Sequence, residues 1–191
     1  MDISANPALP GGPGEASQNN MKIDIIGSVA SGKTTLASSL SKQYGIPFYE
    51  KDNIVWVRTL SGDVKRSEEE RDTMFHEILQ TDHWIVEGSP RECLQESFSC
   101  CDYIFFLDVA TGIRLRRVLT RWVKQRWGKA PYNSKPTLDF LRWNIRWVFE
   151  FNRKRDGLIE ELSIYGDKLQ IFKDTAQAEK FLKQQILGEP L

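Results

Sequence analysis

Apolar positions along the chain follow two alternating spacings. Lys22 to Ile26 is a short β-favouring run, and Thr34 to Tyr44 carries helical spacing with Leu36 and Leu40 four residues apart. Gly45 stops that helix, and Ile46 to Tyr49 (IPFY) predicts a second short strand. Ser67-Glu68-Glu69-Glu70 has the form of a capping box and opens a helix reaching about Leu79. Trp84 to Val86 predicts a third strand, closed by Glu87-Gly88. Tyr103 to Val109 (YIFFLDV) has the apolar density of a strand covered on both faces. A helix from about Ile113, a strand from Lys168 to Phe172, and a helix capped by Asp174 or Thr175 and running to about Leu187 complete the pattern. Strand and helix joined by short links imply an α/β fold. It has a parallel sheet of five strands with helices on both faces and ligands beyond the carboxyl ends of the strands.

The turn after the first strand carries the chemistry. Gly27, Ser28, Val29, Ala30, Ser31, Gly32, Lys33 and Thr34 satisfy every fixed position of Gly-x-x-x-x-Gly-Lys-Ser/Thr. Two glycines let the backbone curl so that successive N–H groups face phosphate oxygens, and Lys33 adds a full positive charge. The Thr34 hydroxyl is placed to ligate Mg²⁺, and the following helix aims its positive dipole end at the anion. A strand before and a helix after make this a nucleoside-triphosphate site, with Thr35 in its first turn, and the layered fold that of a P-loop NTPase.

Composition narrows the picture without naming a partner. Lys and Arg number 26 and Asp and Glu 26, so net charge favours neither nucleic acid nor membrane. No run of about 18 apolar residues occurs, which predicts no membrane span. Residues 1–20 are rich in Gly, Pro, Ser and Asn and lack the order of a secretion signal. They are expected to be a flexible tail or added extension, with Met21 as natural start and residues 21–188 as one domain. Cys93, Cys100 and Cys101 fit neither a disulfide framework nor a zinc site, and reduced thiols point to a cytoplasmic protein.

Local charge is less even. From Arg114 to Arg155 the chain has thirteen Lys and Arg against Asp139 and Glu150. This stretch, residues 114–155, lies between a central strand and the last one, so it is expected to overhang the ligand edge as a helical lid. Trp122, Trp143 and Trp147, with Phe140 and Phe151, recur at helical spacing and are expected to form a small core beneath it. Nucleic-acid binding by the basic residues is the less favoured alternative. Among the acids at strand ends, Glu87 closes Trp-Ile-Val-Glu, where it could hold Mg²⁺ through water. Glu50 and Asp52 follow the second strand, and Asp108 could simply hydrogen-bond backbone.

The opening GSVASGKTTLASSLSKQYGIPFYEKD resembles small-molecule and nucleotide kinases of the adenylate and shikimate kinase type. Its FYEKD is similar to the FYDSD of shikimate kinases, which implies Glu50 near Mg²⁺ and Asp52 on the acceptor. WIVEGSPRE is similar to the acidic-Gly-Phe-Pro-Arg motif of adenylate kinases. That likeness implies a metal-side carboxylate at Glu87 and an acceptor site at Gly88 and Arg91, although Ser89 stands for the Phe and Glu87 for the usual Asp. CDYIFFLDVATGIRLRRVLTRW resembles the adenylate kinase stretch with two arginines four apart. It implies Arg117 on adenine and Arg121 on phosphates, with Arg153 and Arg155 further lid arginines by position. The order of motifs over residues 21–188 most resembles the DNA-topology-modulation proteins.

Together these readings imply phosphoryl transfer from ATP, with Mg²⁺, to an unidentified small acceptor. Lys33, Asp52, Arg121 and Arg153 are the catalytic candidates. The rivals are a nucleotide-dependent regulator associated with DNA and a simple NTPase or GTP switch. The switch lacks an Asn-Lys-x-Asp guanine-reading segment.

Overall fold

The computed structural model describes residues 21–59, 62–129 and 135–187. The expected tail, residues 1–20, and residues 130–134 of the expected lid lie outside them. Five strands form one parallel sheet: β1 (Lys22–Gly27), β2 (Phe48–Glu50), β5 (Trp84–Gly88), β6 (Tyr103–Leu107) and β7 (Leu169–Phe172). Their order is β2-β5-β1-β6-β7, so β1 is central and every connection between neighbours is a crossover. Two further strands, β3 (Trp56–Thr59) and β4 (Gly62–Lys65), pair antiparallel as a separate hairpin. Seven α-helices are present among the described residues: α1 (Lys33–Tyr44), α2 (Lys51–Val55), α3 (Glu68–Gln80), α4 (Glu96–Cys100), α5 (Thr111–Arg126), α6 (Leu138–Leu162) and α7 (Thr175–Leu187).

The period of two along the strands builds two cores. Ile23 and Ile25 of β1, with Phe105 and Leu107 of β6, face α1 and α7 beside Leu36, Leu40 and Leu182. Ile26, Trp84, Val86, Ile104 and Phe106 face the other way, onto Phe75 and Leu79 of α3, Phe98 of α4 and Leu162 of α6. Each such side chain taken fully from water contributes roughly 1.5–3 kcal/mol. Ser67 caps α3 reciprocally with Glu70, as its sequence predicts.

The structure departs from the sequence pattern in several places. Strand β2 begins at Phe48 rather than Ile46. Pro47 has no N–H for the ladder, although its carbonyl accepts from the Ile85 N–H at 2.9 Å. The β3–β4 hairpin and α2 lie where no element was predicted, because the hairpin is nearly all exposed and shows no apolar face. The basic segment does form helices, but they extend beyond residues 114–155. Helix α6 continues to Leu162 and roots itself on the sheet, with Phe151 packed 6.0 Å from the Phe106 ring.

The inner face of β1 holds one charge. Asp24 and Lys51 are both fully buried, and the Lys51 ammonium donates to the two Asp24 oxygens at 2.7 and 2.9 Å. Ser97 Oγ donates to the same carboxylate, and Lys51 Nζ sits 4.7 Å from the Phe98 ring centroid. Asp24→Ala strands the ammonium in the core and is expected to cost about 3–5 kcal/mol in urea unfolding, whereas the apolar double replacement Asp24→Leu/Lys51→Met should recover most of it. Equal losses in the two variants would mean that packing, not charge, fixes this position.

Candidate active site

The phosphate loop is shaped by close approaches. Gly27 has φ 154°, and a Cβ there would stand 2.9 Å from the Leu107 carbonyl oxygen on β6, so the loop leaves the sheet through a gap only glycine fits. Ala30 takes a left-handed φ of 59°, which costs about 1–2 kcal/mol and is held by its surroundings. Arg117 supplies part of that hold: its Nη1 donates to the carbonyls of Ser31 at 2.9 Å and Ala30 at 3.3 Å. Lys33 Nζ folds back onto the Ser28 carbonyl at 2.9 Å. Among the described residues the hydroxyls of Ser28 and Ser31 are buried without a hydrogen-bond partner, and the N-cap of α1 is Gly32, which has no side chain to cap the first N–H groups. Such unmet donors at a helix start are suited to phosphate oxygens.

Acids face this loop from the neighbouring strands. Glu87, at the end of β5, is buried and accepts a hydrogen bond from Thr34 Oγ1. Burial raises its carboxyl above the usual range, opposed by the Lys33 charge. Glu50 ends β2 in register with Glu87, and burial with the nearby Asp52 charge raises it too. Lys33 is shifted the other way: burial lowers its ammonium, while Glu87 and Asp52 favour the charged form. Asp52, in the first turn of α2, accepts from Arg91 Nη2 at 2.6 Å. Gly88 lies beside Arg91 in the same cleft, and a Cβ on it would meet Lys51 Cβ at 2.7 Å. Its absent side chain therefore lets the Lys51 stem pass to Asp24.

Helices α5 and α6 close one side. Arg121 reaches across to Asn144, with Nη2 donating to Oδ1 at 3.0 Å, and burial lowers its pKa. On α6, Phe140, Asn144, Trp147, Phe151, Lys154 and Leu158 line the cleft at spacings of three and four, one helical stripe. Arg153 is exposed one position off that stripe and is not part of the lining; Lys154, which the sequence reading passed over, is. Arg155 is committed elsewhere. Its guanidinium grips Asp108 with two hydrogen bonds of 2.7 and 2.6 Å, and Lys173 joins them. Asp108 is thus an ion-pair hub tying α6 to the ends of β6 and β7, not a backbone acceptor.

The expected tryptophan core is not formed. Trp143 and Trp147 are 50% and 45% exposed, and Trp127 is 70% exposed. Only Arg114 and Val118 of α5, and Asn144, Val148 and Leu162 of α6, are buried, because among the described residues no further layer covers the outer side of this helix pair. Arg146 and Lys129 stack on Trp143 and Trp127 at 5.3 and 5.4 Å from the ring centroids.

The whole forms a cleft of about 1690 Å³, bounded by the loop, β2, β5, the hairpin residues Trp56, Arg58 and Asp63, and the α5–α6 pair. That exceeds the roughly 300–1,000 Å³ of a single small-ligand site and leaves room for two.

No protein-family model matches the chain, and no curated protein matches it. Solved structures do. The chain is similar to a shikimate kinase from Acinetobacter baumannii in complex with shikimate, with TM-score 0.54 and 16% identity over 91% of this chain and 97% of that one. It is similar to a shikimate kinase from Bacteroides thetaiotaomicron (TM-score 0.51, 15% identity, 88% and 99% covered). A like match is an uncharacterized protein from Eubacterium ventriosum (TM-score 0.52, 15% identity, 88% and 99% covered). The chain therefore has the P-loop fold of the shikimate kinases, a five-stranded parallel sheet flanked by helices.

The Asp108 hub yields a pH prediction. Hydrogen bonds from Arg155 and then Lys173 hold its carboxyl at about 2, below the ordinary 3.8. A depressed carboxylate stabilises the fold fully above its unfolded value and loses that contribution as pH falls through its folded one. Asp108→Asn should therefore lower the thermal midpoint at neutral pH, and the gap from wild type should close as pH is taken from about 4 toward 2. A gap that stays constant over that range would remove the ion pairs as its cause.

Proposed function

We propose that the chain transfers the γ-phosphoryl group of ATP to the hydroxyl of a small acceptor. The observation that carries this reading is one cleft lined by both the phosphate loop and a carboxylate, Asp52, that is paired with Arg91. Lys33, the loop N–H groups and the hydroxyls of Ser28 and Ser31 hold the phosphates, with Arg117 bracing the loop and Thr35 in the same helical turn. The donor set also fits Mg²⁺. Among the described residues no three His, Cys, Asp or Glu cluster as a metal cage. Magnesium commonly keeps several waters and takes few protein ligands, so the Thr34 hydroxyl with Glu87 and Glu50 nearby suffices. When bound with the nucleotide, it neutralises phosphate charge.

The acceptor oxygen bonds to the γ-phosphorus while the bond from that phosphorus to the β–γ bridging oxygen breaks, releasing ADP. Asp52 orients the hydroxyl and takes its proton, which then passes to water. Arg121 stabilises the charge spread over the transferring group from the cleft wall. Lys154 stands on the α6 face where Arg153 was expected to act, and is the better placed lid cation. The likeness in motif order to the DNA-topology-modulation proteins rests on the sequence alone. One observation favours their DNA-associated reading as a second possibility: the exposed, cation-stacked Trp127 and Trp143. Duplex binding whose affinity falls steeply with salt is its test.

Lys33→Ala and Arg121→Ala are each expected to slow ADP release from Mg²⁺-ATP by about 100-fold or more, with unchanged circular dichroism. Near-normal release in either folded variant would contradict the role given to that residue.

A further inference from the structure

The arginines of the helix pair differ in what holds them. Arg142, Arg146 and Arg155 of α6 are paired with the carboxylates of Asp139, Glu150 and Asp108. The two arginines of α5 that line the cleft are held by neutral oxygens instead. Arg117 donates to the Ala30 and Ser31 carbonyls, and Arg121 to the side-chain amide of Asn144. Among the described residues no carboxylate lies at ion-pair distance from Arg121. Burial first, and the Arg121 charge after it, disfavour the Lys33 ammonium, so these two cations stand within electrostatic reach of each other. A group carrying several negative oxygens gains from both at once.

Asn144 runs against its local setting. It lies inside the 25-residue helix α6, where asparagine is a weak helix former, on the stripe that also carries Phe140, Trp147 and Phe151. Its Nδ2 donates to the Phe140 carbonyl at 2.7 Å, one turn back, and its Oδ1 accepts from Arg121 Nη2 at 3.0 Å. A carbonyl cannot donate and a guanidinium cannot accept, so these two partners fix which way the amide faces. One end ties Asn144 to its own helix and the other reaches α5. Asn144 is 4% exposed, whereas Arg121 keeps open surface at the cleft.

Resting on the phosphoryl-transfer reading above, we infer that Asn144 is a positioning residue: it aims the Arg121 guanidinium at the transferring phosphoryl group. Being neutral, it does so without a counter-charge. A carboxylate in its place would orient the same guanidinium but offset its charge before any phosphate arrived. The bond also joins α5 to α6, so Arg121 takes its direction from the packing of the helix pair. Without the amide a long side chain is free to turn, and misplacement by about 1 Å can cost on the order of 100-fold in rate.

The test is a double-mutant cycle on the full chain, read as ADP release from radiolabelled Mg²⁺-ATP so that slow variants stay measurable. Asn144→Leu, similar in size but without hydrogen-bonding atoms, should slow release about tenfold. Asn144→Ala, which favours the helix, takes its place if circular dichroism shows the leucine variant misfolded. In the Arg121→Ala background the same substitution should slow release by no more than about twofold. Affinity for Mg²⁺ with a non-hydrolysable ATP analogue, measured by calorimetry, should change less than about threefold, because Asn144 serves the reacting state rather than the bound one. Equal losses in the two backgrounds would overturn the inference, since Asn144 would then act through packing. So would an affinity loss as large as the loss of rate, or undiminished release in the folded single variant. If Arg121→Ala is impaired and Asn144→Leu is not, the inference alone falls. An analogue that fails to bind the wild type, or a wild type that releases no ADP, removes the phosphoryl-transfer reading as well.

Discussion

A fully buried ammonium, Lys51, is locked to a fully buried carboxylate, Asp24, on the central strand. Taking two charges out of water costs several kcal/mol each, and their attraction only offsets it when geometry and extra hydrogen bonds are good. Ser97 supplies one such bond and the Phe98 ring lies against the ammonium. The position of Lys51 in the chain explains what the pair accomplishes. It stands between Glu50 and Asp52, so drawing its side chain inward turns both neighbours toward the cleft. Its stem crosses Gly88, immediately after Glu87, so the same anchor also registers β5 against the β2–α2 corner. Glu50, Asp52 and Glu87 thus take their places from one interior contact.

The helix pair over the cleft obeys the same logic of anchoring. Arg114 donates to the Val109 carbonyl at 2.8 Å and reaches Asn152, and Arg155 grips Asp108, so both helices are tied at the sheet edge. Beyond those ties they project with little buried surface, and Arg121 and Asn144 meet across the gap. A rooted pair with a lightly packed far end can shift toward a bound nucleotide without disturbing the sheet. The excess of arginine in this segment is therefore divided. Some arginines hold the base of the helices, Arg117 braces the phosphate loop, Arg121 faces the cleft, and others coat exposed tryptophans.

Legibility in the sequence followed the range of the interactions concerned. The phosphate loop is a contiguous motif whose geometry is set by its own glycines, so Gly27 to Thr34 could be read directly. Strands buried on both faces announce themselves as apolar runs, and β1, β5 and β6 lie where those runs fall. The Asp24–Lys51 pair spans 27 residues, and nothing local to either residue names the other; a charged residue inside KIDII was the one available signal. Periodicity showed that the tryptophans share helix faces but not whether anything would cover them, and among the described residues Trp143 and Trp147 stay about half exposed. Arg153 was named by position alone, and its place off the lining, with Lys154 on it, has a related reason. One residue is about 100° of helix, and only the stripe from Phe140 to Leu158 tells which side faces the cleft.

The central claim concerns where the γ-phosphate goes. Incubating the protein with Mg²⁺ and ATP labelled at the γ-position, together with a fractionated metabolite extract, and following the label measures this directly. Label recovered in a phosphate ester, dependent on Lys33, is the expected result and would identify the acceptor from the same fraction. Label found only as inorganic phosphate, at a rate no fraction changes, would contradict phosphoryl transfer and leave a nucleotide hydrolase in its place.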